Sequence, residues 1–141
     1  MGGVAGWTCP ECQRSFGRRN QSHLCAPGLT LDEYFAVGPA FEKPIFEAVA
    51  EHLEAVGAVH VEPVSVGIFF KRLRTFAELR PKRDRVVLSI LLSRRLQHPK
   101  IARSYQGSGS RNAYFVNLYT PADVDEDVRG WLTEAYLSSP E

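Results

Sequence analysis

Cysteine is absent from the chain after residue 25, so no disulfide can staple the rest of its 141 residues. No apolar run approaches the roughly 18 to 20 residues of a membrane-spanning helix. The longest, Val86 to Leu92, is interrupted by Ser89 and flanked by Arg85 and Arg94. Met1 to Trp7 lacks a basic stretch leading into an apolar one, which argues against a secretory signal and predicts a cytoplasmic protein without membrane attachment. The usual marks of catalysis are missing as well. There is no G-x-S-x-G elbow, and Gly107-Ser108-Gly109-Ser110-Arg111 lacks the G-K-[ST] ending of a phosphate loop, so it reads as a hairpin tip. Asp123, Asp125, Glu126 and Asp127 lack the oxygen spacing of a calcium loop. His60 and His98 have no nucleophile or carboxylate constellation beside them. Glu47, Glu51 and Glu54, with His52 adjacent, read as a solvated helix face before a metal ridge. Binding is therefore favoured over catalysis; the enzymatic alternative is hydrolysis or transfer on an anionic small molecule.

What the chain does have is concentrated at its start. Cys9, Cys12, His23 and Cys25 form a C-P-E-C knuckle, a ten-residue spacer and H-L-C. Structural zinc takes four N or S ligands in a tetrahedron, commonly as two short-range pairs. This pattern predicts one structural Zn²⁺, with Phe16 covering it. His23 and Cys25 are the less usual half and are expected to need a turn or a helix end to converge. The competing readings are a reduced tail with incidental thiols and a transient disulfide. So small a head buries little apolar area, and metal binding would supply most of its folding free energy. Four protein ligands leave no open position for water.

Net charge is only +1, yet it is segregated. Residues 26–70 carry one cation against seven acids, 71–111 twelve Lys/Arg against two acids, and 112–141 one cation against six acids.

The elements follow from periodicity. Residues 1–28 are a head and linker ending in the Ala26-Pro27-Gly28 breaker, and 29–141 are a second domain. Thr30-Leu31-Asp32-Glu33 is a capping box opening a short helix that closes near Gly38. Pro39 starts a longer helix with Phe41, Ile45, Val49, Leu53 and Val56 on one face, and Gly57 is placed at its C′ position. Strands are expected near 59–61, 66–71, 76–80, 85–92, 101–105 and 111–119. Thr120-Pro121 caps a last helix with Val124, Val128, Trp131, Leu132, Ala135 and Tyr136 as its buried stripe. Short connections favour an antiparallel meander. The fold class is α+β: a two-layer sandwich of five to six strands with the N- and C-terminal helices on one sheet face.

Alternation sends Val86, Leu88, Ile90 and Leu92 inward, with Tyr114, Val116 and Leu118. It leaves Phe69, Lys71, Arg103, Tyr105, Phe115 and Tyr119 outward. Rings mixed with cations suit a single-stranded nucleic acid, whose bases stack and whose phosphates meet cations. Arg72, Arg74, Lys82 and Arg83 extend the surface from loops, as do Arg94, Arg95 and Lys100, with Arg14, Arg18 and Arg19 of the head. The first expected partner is nucleic acid or another anion, the second a protein. The bland alternative is that basic strands complement acidic helices within the domain.

The head, C-P-E-C-x3-F-x3-N-Q-x-H-x-C, is similar to a short finger preceding certain small bacterial domains. G-I-F-F-K-R, R-T-F-A-E-L-R-P-K-R-D and D-V-D-E-D-V-R-G-W-L-T-E-A-Y together resemble the bacterial family catalogued as domain of unknown function 5655, over roughly residues 30 to 138. The resemblance implies an α-β-α sandwich and no established activity. Some members are labelled predicted transport proteins and others adjoin nuclease-like domains, and neither association carries a catalytic residue to this chain. The order of elements is also similar in layout to frataxin-like domains, which does not fix function.

Overall fold

The computed structural model describes residues 6–21, 23, 25, 27–107 and 111–139. The head is a hairpin of β1 (Trp7–Thr8) and β2 (Ser15–Phe16), antiparallel, with the Cys9–Cys12 knuckle at its tip. The sandwich follows: α1 (Leu31–Phe35), α2 (Glu42–Val56), β3 (His60–Val64), β4 (Gly67–Lys71), β5 (Thr75–Pro81), β6 (Val86–Leu92), β7 (Ile101–Gln106), β8 (Asn112–Leu118) and α3 (Glu126–Ser138). The expected α+β architecture is present.

All neighbouring strands pair antiparallel, in the order β3-β4-β5-β6-β8-β7. The meander therefore holds through β6 and then departs from expectation, because β8 enters between β6 and β7. The 93–100 connection has to cross the end of β8. It is pinned by the Tyr114 hydroxyl, which donates to the Arg94 carbonyl at 2.9 Å and accepts from the Leu96 N–H at 2.8 Å. Gly107 and Arg111 close the β7–β8 hairpin, whose expected tip, Ser108-Gly109-Ser110, lies outside the described residues. Strand β3 runs on past Val61 through Pro63, which an edge strand tolerates because one side of its backbone needs no N–H.

The inward positions of β4, β5, β6 and β8 make one core with α2 and α3. Ile45, Val49 and Leu53 of α2 and Val128 and Leu132 of α3 are fully buried there, so both helices lie on the same sheet face. The capping box forms as read: the Glu33 N–H donates to Thr30 Oγ1 at 3.1 Å and the Thr30 N–H to Glu33 Oε1 at 2.8 Å. Two local expectations are corrected. Thr120 caps only a 3₁₀ turn, Pro121–Asp123, while Asp125 accepts from the Val128 N–H and caps α3. Gly57 is extended (φ 170°), not left-handed; it is needed because a Cβ there would lie 2.4 Å from the Tyr136 hydroxyl. That hydroxyl donates to the Ala58 carbonyl and ties the end of α2 to α3.

Among the described residues, no helix is long and apolar enough to cross a membrane.

Candidate metal centre and adjoining sheet face

Three sulfurs and a ring nitrogen converge at the head. The ligand atoms of Cys9, Cys12, His23 and Cys25 all lie within 4.8 Å of one another. Cys9 Sγ stands 3.7 Å from Cys25 Sγ, and Cys12 Sγ 3.6 Å from His23 Nε2. A tetrahedral ion with bonds of about 2.3 Å to sulfur and 2.0–2.1 Å to nitrogen has S–S edges of about 3.8 Å and S–N edges of about 3.6 Å. The donor set fits such an ion. The knuckle is shaped by Gln13 at φ 64°, which lets its N–H reach the Cys9 carbonyl while the Cys9 N–H donates to the Arg14 carbonyl. His23 Nδ1 lies 2.6 Å from the Gln21 carbonyl, so its proton sits there and Nε2 presents its lone pair to the sulfurs. His23 and Cys25 lie in no helix or strand, and Leu24 between them, on which the expected turn would rest, lies outside the described residues.

The thiols are unequal. Desolvation opposes ionisation of Cys9, but the backbone N–H groups of Cys12 and Glu11 and the neighbouring thiols outweigh it and bring Cys9 down to about 7. Desolvation, with Cys9 and Cys12 beside it, pushes Cys25 up to about 11. A divalent cation relieves this crowding of negative sulfur. Phe16 covers the cluster as expected, its ring stacked on His23 at 4.0 Å, and Trp7 meets His23 edge-on at 5.9 Å.

The head does not hang free. It lies on the outer sheet face over β3 and β4, the side opposite α2 and α3. Glu62 of β3 is opposite Phe69 of β4, and His60 opposite Lys71. Glu62 receives Arg14 from the head and Lys71 Nζ from the sheet, the latter at 2.9 Å. All three side chains are at least nine-tenths buried. Lys71 Nζ also donates to the Ser15 carbonyl at 3.0 Å and lies 4.6 Å above the Phe16 ring, while the Arg14 guanidinium lies 5.2 Å from both Phe16 and Phe69. Gly17 passes so near the β4–β5 turn that a Cβ would meet Leu73 at 2.8 Å.

This docking divides the expected ring-and-cation face. Phe69, 6% exposed, and Lys71 point outward but are sealed by the head, and Arg14 is buried with them. They are removed from the open surface. Arg72 is also withdrawn: it donates to the Tyr136 and Ser139 carbonyls at the end of α3 and stacks on the Tyr136 ring. The bland reading is right for two loop cations. Arg94 forks onto Glu134, and Lys100 pairs with Asp125 and Asp127. Of the histidines outside the head, His52 bonds Thr133, His98 packs on Trp131 beside Asp127, and His60 stays exposed.

The other half of the face is open. Arg103 of β7 lies opposite Phe115 of β8, and its guanidinium sits 4.4 Å above that ring. They line a concavity of about 540 Å³ with Arg80, Lys82, Arg85 and Asn117, in which Glu78 is the sole carboxylate among the described residues. Lys82, Arg83 and Arg103 have no ion pair among the described residues, and Arg74 is exposed. Tyr105 and Tyr119 are 66% and 51% exposed. Sequence reasoning missed Glu62, the anchor of the head, and Arg80, which faces outward with Glu78. The alternation of β5 held the signal for Arg80. Glu62 was marked only as the lone acid in the apolar stretch from Val56 to Phe70.

The model of the family described as Domain of unknown function (DUF5655) matches residues 31–139, so the chain belongs to that family. The match begins after the metal-ligand set, so the head lies outside the matched residues. No curated protein and no solved structure matches the chain significantly.

Proposed function

We propose that this member of the family is a zinc-stapled binding module whose uncovered sheet face takes single-stranded nucleic acid. Cys9, Cys12, His23 and Cys25 would hold the zinc. Three thiolates and one imidazole suit that metal, and four protein ligands make it a structural ion that fixes the head instead of activating water. Free thiols held in this way fit a reducing, cytoplasmic setting.

The observation that carries the nucleic-acid reading is Arg103 stacked on Phe115, with no carboxylate partner among the described residues, in the concavity beside Lys82. A guanidinium on a ring gives a base a plane to stack on and a phosphate a cation to meet. Loss of Phe69, Lys71 and Arg72 from the surface shortens the platform to the β5-β6-β8-β7 half, with Arg74, Lys82, Arg83, Arg103, Tyr105, Phe115 and Tyr119 around it. Fluorescence anisotropy with a short labelled single strand is expected to show binding that weakens steeply with salt, as phosphate contacts require. Absence of binding even at low salt removes the reading.

A protein partner is the second reading, favoured by one feature. Strand β7 is a sheet edge, exposed at every residue from Ala102 to Gln106, and an extended peptide could add to it.

A further inference from the structure

Resting on the single-strand reading, we infer that the seam between head and sheet is a pocket for the terminal phosphate of the bound strand. The seam is a cavity of about 360 Å³, walled by Phe16, Gln21 and His23 of the head and by Arg74, Arg80 and Arg111 of the sheet. Arg14 also reaches it but is engaged by Glu62. Among the described residues, Arg74 and Arg111 have no ion pair and Glu78 is the one carboxylate that lines the cavity. Three guanidinium groups against one carboxylate leave two positive charges. An internal phosphodiester brings one negative charge; a terminal phosphate brings close to two, with three acceptor oxygens for guanidinium forks.

Two orphaned atoms point the same way. Arg80 Nε and Gln21 Oε1 are buried without a hydrogen-bond partner, and both residues line this seam. Arg80 Nε needs an acceptor, which phosphate supplies. Gln21 Oε1 needs a donor, which an exocyclic amino group of the terminal base or a ribose 2′-hydroxyl supplies. The seam is also continuous with the open face, since Glu78 and Arg80 line both cavities. Thr75 lines the seam and Lys82 the other cavity, on one stretch of β5 and its turn. At about 3.3 Å per residue that run covers about 23 Å, enough for a short strand lying along the sheet with its end against the head.

The test is anisotropy with the zinc-loaded full chain and labelled strands of about eight nucleotides, bearing a 5′ phosphate, a 3′ phosphate or neither. A phosphate at one end is expected to tighten binding about tenfold, and at the other end to change little. Arg111→Ala should bring that ratio toward one, with Arg111→Lys keeping part of it. Arg103→Ala should weaken all three strands and keep the ratio. Equal binding of the three strands, or a ratio that survives Arg111→Ala, overturns the inference while the single-strand reading stands. No binding of any strand overturns both.

Discussion

The head buries three side chains in a cluster of its own, Cys9, Cys12 and Phe16, whereas the sandwich buries the inward face of four strands and the stripes of two helices. One region can fold on apolar area alone; the other cannot. The head compensates twice, through the ligand set at its tip and through Arg14 and Lys71 gripping Glu62 at its base. Charge is used in opposite ways as well. Arg14 of the head is buried and sealed against Glu62, while on the uncovered β7–β8 half Arg103 is left to solvent and a ring. The head thus decides how much of the sandwich's outer sheet face remains accessible.

The largest effect separating the two regions is expected from the metal. A structural zinc supplies about 10–16 kcal/mol of apparent binding free energy. Chelation should therefore erase amide-exchange protection and Trp7 burial in the head while β6 and β8 keep theirs. Loss of protection throughout would mean that the two regions are one cooperative unit. Next comes the core. Leu88→Ala, at a fully buried position, should cost the sandwich about 3 kcal/mol in urea unfolding and leave metal affinity unchanged. Smaller is Glu62→Gln, which leaves Arg14 and Lys71 without their carboxylate and should cost about 2 kcal/mol of head docking. Its readout is faster exchange at Ser15 and Phe16 with the metal still bound.

Acid sharpens the same contrast because two buried glutamates respond with opposite sign. Burial works against the Glu62 carboxylate, but Lys71 and Arg14 more than offset it and hold its pKa below the ordinary 4.5. Its contribution to docking is complete above that value and is lost as pH falls through the lowered one. Burial raises Glu42, against the bond from the Tyr34 hydroxyl. That group's contribution to the sandwich is complete below 4.5 and is lost as pH rises through the raised value. Acid titration followed by exchange should therefore loosen head docking while Glu42 favours the sandwich, and Glu42→Gln should flatten the second trend.

Most of the sandwich was legible because period-two and period-3.6 patterns report burial directly. The inward sets of β6 and β8 and the stripe of α3 are buried as the alternation required. Strand order beyond β6 was not legible, since a connection of eight residues permits either a hairpin or a crossover. What decides it is Tyr114, whose hydroxyl holds that connection from two residues on. The ligand set could be read because cysteine and histidine at short spacing have few other uses. The covering of Phe69 and Lys71 could not: alternation says which face a side chain takes, not what else lies on that face. The contacts of Arg14 with Glu62 and of Lys71 with Ser15 disclose it.

The most direct test of a metal-held head is native mass spectrometry of the full chain purified without chelator. The account predicts one zinc ion per chain, lost in Cys12→Ala while the sandwich retains its secondary structure by circular dichroism. A metal-free chain whose head is nonetheless protected from exchange would contradict it.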